Sequence, residues 1–354
     1  MKTMHCADNR ADDTKVFLQT ADGKFKYQLF MDYAKGMPED LKLIPFEGNI
    51  SSGCCDKDDN LYAGYRGGAN LPECLIKLDP DGNFIGTIGM GVISGLHFFC
   101  CTDHDTIALT NTPASYTYEV TMDAKEVVAT CGKPFGVCDN NRRNDHYTIV
   151  RKHYGLFATE PYEGFRGDNF SAMLGYNAGE MGGPFRNVNG VTQDPYGNYF
   201  VSDGYGNVAV HKFDRDWNHI KTWGGKGTYD PYTDTPGKFL VPHGICADPN
   251  GNVWVCDREK DAIHIFDNDG NLLAYCSHNM GQPSGIDHDG KYMYVVGRGG
   301  YLTIFDFDFN IVGELGVFNG NLRAHGLAAD SKGNLYLFPT HANYEHQIIA
   351  LKRV

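Results

Sequence analysis

The stretch VPHGICADPNGNVWVCD, residues 241–257, decides the fold of this 354-residue chain. At its centre, Asp248-Pro249-Asn250-Gly251-Asn252 is turn chemistry, in which the aspartate caps the backbone and the glycine supplies a positive φ. The run Val253 to Cys256 then alternates with the two-residue period of a strand. A histidine, His243, opens the unit, and neither the turn nor the strand requires one.

The unit recurs along the chain. It reads NGVTQDPYGNYFVSDGYGNVAVHKFD from 189, HGICADPNGNVWVCDREKDAIHIFDNDG from 243 and HGLAADSKGNLYLF from 325. Weaker copies begin at 51 (SSGCCDKDDNLYAGYRGG), at 97 (HFFCCTDHDTIALTN) and near 284 (SGIDHDGKYMYVVGRGG), most of the six lying 40 to 55 residues apart. A small sheet of this size cannot bury both faces by itself, so the copies must pack face to face. Six such blades around an axis predict an all-β, six-bladed β-propeller occupying residues 1–354 as one domain. The strand-like stretch 16–30, VFLQTADGKFKYQLF, is expected to complete the last blade and close the ring. Residues 136–185 exceed what a blade needs and are expected either to cover the axis as a lid or to decorate an outer strand.

Composition agrees and excludes several functions. Forty-three Gly, 21 Tyr and 21 Phe favour strands, and 42% hydrophobic residues suffice for a large core. A net charge of −13 without a basic run argues against nucleic acid as a partner. No apolar run has the length of a membrane span, so no membrane is expected. The opening MKTMHCADNRADDTK has no apolar core of a signal peptide. The 11 Cys are odd in number and several sit inside strand-like runs, as reduced thiols do. These features together predict a cytoplasmic protein.

The opening position of the unit carries the chemistry. It is His97, His243 and His325 in the second, fourth and sixth copies, and Ser51, Asn189 and Ser284 in the others. Alternation around a six-fold ring sets three imidazoles about 120° apart at one depth, a His₃ metal site with an open fourth position. Zinc suits that ligand set best, while Fe(II), Co or Mn use the same donors. His211, His264 and His346 fall on alternating strands and read as structural.

At these residues the chain resembles the peptidyl-α-hydroxyglycine α-amidating lyase family, a six-bladed propeller of NHL-type repeats. The likeness is strongest in PFRNVNGVTQDPYGNYFVSDGYGN and KFLVPHGICADPNGNVWVCDREKDAIHIFD. It implies a zinc on His97, His243 and His325, a proton-transferring Tyr205 in S-D-G-Y, and active-site arginines Arg66 and Arg258. Two departures accompany it. Arg323-Ala324-His325-Gly326 replaces the family's Met-Pro-His-Asp, which removes the carboxylate of the family's structural calcium and adds Arg323 to that face. The family's peptide-binding arginine after S-D-G-Y is absent, since the chain continues GYGNVAV.

The expected function is therefore a metal-dependent lyase that breaks a carbon–nitrogen or related bond in a small anionic α-hydroxy compound. Tyr205 would act as base, and Arg66, Arg258, Arg323 and Asn189 would bind the substrate. A hydrolase of an ester, lactone or amide would use the same ligands. A non-catalytic propeller scaffold is the third reading, and it has no need of three imidazoles on the axis.

Overall fold

The computed structural model of the chain describes residues 16–38, 41, 50–67, 72–112, 116–131, 185, 188–205, 207–227, 235–316, 323–339 and 348–354. They form six antiparallel sheets, five of four strands and one of five. Blades one to six begin with the inner strands Ile50–Cys55, Leu96–Cys101, Gly190–Gln193, Pro242–Ala247, Pro283–His288 and Gly326–Ala329. Each inner strand contacts the next, and that of blade six contacts that of blade one, so the ring closes as expected.

Local sequence explains each meander. In blade four the Asp248 carboxylate accepts the N–H groups of Asn250 and Asn252 and the side-chain amide of Asn252. Asp194 with Asn198 and Asp330 with Asn334 repeat the arrangement in blades three and six. Glycine at the fourth turn position takes φ 83° at Gly251, where a β-carbon would be strained. Alternation then gives each blade two apolar faces. The core is consequently six layers between blades, such as Trp254, Ile263 and Ile265 of blade four against Met293, Val295 and Phe305 of blade five.

Closure differs in detail from the expectation. Residues 16–30 form two strands, Val16–Gln19 and Lys26–Phe30, joined by a turn in which Thr20 donates to Asp22. Lys26–Phe30 pairs with the C-terminal strand Ile349–Arg353, and Val16–Gln19 adds outside it. Blade six thereby gains a fifth strand, because Asp22-Gly23 reverses the chain in the middle of what reads as one strand. The segment 136–185 lies outside the described residues except for Phe185, which is buried between blades two and three. Among the described residues no helix is long and apolar enough to cross a membrane.

Candidate metal centre

The inner strands are irregular where the histidines stand. Pairing in blade four slips between Pro242 and Ile245, so His243 and Gly244 form a bulge. Blade two slips between Leu96 and Phe99, around His97 and Phe98. A bulge turns a side chain out of the strand's alternation and here aims it along the axis. His325 immediately precedes its strand and donates its backbone N–H to Phe338. Inner strands approach so closely that a β-carbon at Gly244 would lie 2.5 Å from the Ser284 carbonyl oxygen, and one at Gly326 would lie 2.5 Å from that of Ser51. The residue after the opening position therefore has to be small in those blades.

The three histidines converge as the alternation predicts. Their ligand atoms lie within 4.8 Å of one another, and the ring centroids are 5.1, 4.8 and 4.8 Å apart. All three are buried. Each Nδ1 faces the opening residue of the following blade: His97 donates to Asn189 O at 2.9 Å, His243 to Ser284 O at 3.0 Å and His325 to Ser51 O at 2.9 Å. A carbonyl only accepts, so Nδ1 carries the proton and the neutral ring leaves its Nε2 lone pair unprotonated. This is the outer contact that orients metal-binding imidazoles. Burial, then Arg258 and the other two histidines, holds the His243 pKa well below the usual histidine value. Burial, then Arg258, Arg298 and Arg66, does the same at His325. A buried, neutral His₃ donor set fits a divalent metal such as zinc.

Tyr205 sits against this cluster. Its hydroxyl lies 3.2 Å from His97 Nε2 and 3.0 Å from His243 Nε2, and it accepts a hydrogen bond from Arg258 at 3.2 Å. Arg258 is buried and held from behind by Glu259, which Gln282 anchors in turn. Asn189 joins two parts of the site. Its carbonyl holds His97 while its Oδ1 accepts the N–H groups of Gly204 and Tyr205, and its buried Nδ2 has no protein partner among the described residues. Asp257 accepts the N–H groups of Leu240 and Val241 and so steers the chain into His243.

The remaining expectations divide. Arg66 is half-buried, with its charge acting on His325 and Glu73. Arg323 is exposed. The further guanidinium whose charge reaches His325 is Arg298, which the sequence reading passed over. Its signal was present, because Arg298-Gly299-Gly300 repeats Arg66-Gly67-Gly68 at the end of the second strand. Phe98 was also missed. It stacks on His325 at 5.1 Å and meets the edges of His97 and His243, giving the cluster a floor. It stands where blades three to six have the small residue, and that break in pattern marks it. His211 and His264 lie beside Asp203 and Asp257 on the third strands of their blades, and neither joins the cluster. His346 is outside the described residues.

The described residues thus define an all-β six-bladed propeller with a three-histidine cluster on its axis. Residues 239–266, the heart of blade four, match the NHL repeat. The chain is 30% identical over 172 residues to peptidyl-glycine alpha-amidating monooxygenase A of Xenopus laevis, a match covering 43% of this chain and 18% of that protein. It is 33% identical over 106 residues to human NHL repeat-containing protein 3, covering 28% of this chain and 29% of that one. The chain thus spans less than a third of the length of either relative. Among solved structures, a gluconolactonase of Xanthomonas campestris matches with TM-score 0.59 at 10% identity, covering 99% of this chain and 98% of the other. Virginiamycin B lyase of Staphylococcus aureus matches with TM-score 0.54 at 12% identity, over 93% and 99%. At such identities these two matches speak for the fold alone.

Proposed function

We propose that this propeller is a metal-dependent lyase acting on a small anionic α-hydroxy compound. One observation carries the reading: three Nε2 lone pairs, the Tyr205 hydroxyl and the Arg258 guanidinium meet at one buried point on the axis. The partial likeness to an amidating monooxygenase supports it. A divalent ion on the imidazoles would supply Lewis acidity that makes a substrate hydroxyl easier to deprotonate.

The chain's own groups do the rest. The Tyr205 oxygen takes and returns the proton, and the hydrogen bond from Arg258 stabilises the charge on that oxygen while the proton is away. Arg66, Arg258 and Arg298 set positive potential around His325 and draw in a carboxylate or a similar anion. Arg323 would meet such a substrate at the exposed rim. Asn189 Nδ2 offers a buried donor to a substrate oxygen. Phe98 closes the base of the cluster and limits water there.

Metal content by elemental analysis is the primary test. Wild type should carry near-stoichiometric zinc or another divalent metal, and His243→Ala should lose it. A metal-free wild type after reconstitution would sink the reading. Turnover in ¹⁸O-labelled water then decides the reaction: label confined to an exchangeable aldehyde or ketone oxygen supports bond elimination, and label in a new carboxylate oxygen would make the same centre a hydrolase.

A further inference from the structure

Beyond Phe98 the axis holds a cavity of about 50 Å³ whose walls include Cys54, Cys100 and Cys246. Cys54 Sγ, on the inner strand of blade one, lies 3.0 Å from Cys101 Sγ, on the inner strand of blade two. A disulfide brings two sulfurs to about 2.0 Å, so small side-chain rotations separate this pair from a bond. The two strands are in direct contact. The hydroxyls of Ser51 and Ser52 in blade one donate to the His97 carbonyl in blade two at 3.0 and 2.7 Å, which clamps one strand against the other. Cys54 and Cys101 are 47 positions apart in sequence, so only the packing of neighbouring blades brings them together.

We infer that Cys54 and Cys101 form an oxidative modification site, converted to an inter-blade disulfide by a low-molecular-weight disulfide of the glutathione class. Cys101 is half-buried and Cys54 buried, so Cys101 meets the oxidant first. The Cys101 thiolate attacks one sulfur of glutathione disulfide, breaking its S–S bond, releasing one glutathione and leaving a mixed disulfide on Cys101. The Cys54 sulfur then attacks Cys101 Sγ and releases the second glutathione. The two protein sulfurs are oxidised, the glutathione disulfide is reduced, and the two thiol protons end on the two glutathiones. Burial pushes the Cys54 thiol well above its ordinary pKa, which slows the second step, but closure over so short a separation is intramolecular. The product staples blade one to blade two at the opposite end of the strand Leu96–Cys101 from His97 and restricts the unfolded chain. It is independent of whether the histidine cluster is catalytic.

The test incubates the full chain with reduced or with oxidised glutathione, then counts thiols and maps peptides by mass spectrometry. The oxidised sample should lose two thiols and about 2 Da, with no retained glutathione. Its peptides should be joined through Cys54 and Cys101, and its thermal midpoint should rise until dithiothreitol restores it. Cys55→Ser and Cys100→Ser should leave this product intact. Cys54→Ala should stop at a glutathione adduct on Cys101. A wild type that retains every thiol, keeps a stable glutathione adduct or links through Cys55 or Cys100 overturns the inference. That wild-type peptide map decides by itself if a variant fails to fold.

Discussion

Tyr205 is the residue on which the proposed chemistry turns, because its oxygen touches two imidazoles and a guanidinium at once. Replacing it by phenylalanine removes only that oxygen and leaves all three Nδ1–carbonyl bonds in place. Tyr205→Phe should therefore keep its metal and lose about 10²- to 10⁴-fold in kcat, read by steady-state kinetics beside elemental analysis. Unchanged turnover would refute the proton-transfer role. At this scale the histidines were legible because the repeat aligns them, and alternation of one rare residue type is a strong signal. Tyr205 was read only through the resemblance carried by S-D-G-Y. Phe98 was marked only by its break with the small residue at that position, since a phenylalanine inside a strand-like run otherwise reads as core. Nothing in the sequence shows that the bulge between Leu96 and Phe99 sends it towards the axis. Arg258 was legible as a charge but not as a buried one, for its burial depends on Glu259 and Gln282 from two different blades.

Among the elements, the contact between blades two and three has a polar centre. Glu119, on the strand Tyr116–Thr121, accepts hydrogen bonds from Thr106, from Tyr199 at 3.0 Å and from Trp217 at 3.0 Å, and it pairs with His104 at 2.6 Å. Burial by itself would raise its pKa, but the bonds to Thr106, Trp217, His104 and Tyr199 outweigh that and hold it below the ordinary glutamate value. A depressed carboxylate adds stability that is complete above its unfolded pKa and fades as pH falls through the folded one. Glu119→Gln should thus be less stable than wild type at neutral pH, with the gap narrowing below about pH 4.5. Urea midpoints measured between pH 7 and pH 3 check this, and a constant gap would contradict it. The turns that frame such strands were plain in D-x-x-G-N. The Glu119 network was not, because its partners come from two blades brought together only by packing.

For the whole molecule, ring closure is the decisive event, since six blades bury their faces only when the last meets the first. Tyr27 lies fully buried on the closing strand Lys26–Phe30, packed into the layer between blades five and six. Tyr27→Ala should cost about 3–5 kcal/mol, as large aromatic truncations in cores do. Phe17→Ala, on the outermost added strand, should cost well under half of that. Denaturant unfolding of both variants checks the order. Equal losses would mean that Val16–Gln19 contributes to closure as much as Lys26–Phe30 does.

The sequence by itself determined the architecture and the metal candidates. Both rest on a repeated local pattern, and a turn, a strand period and a recurring histidine are each readable within a few residues. The tertiary structure decided everything that needs two distant segments at once. It set the carbonyl partners that orient each imidazole, the approach of Arg258 to Tyr205, the floor made by Phe98 and the meeting of Cys54 with Cys101. Such contacts are formed by neighbouring blades across an axis. A linear pattern states which residues share a position in the repeat, whereas the closed ring sets which of their atoms touch.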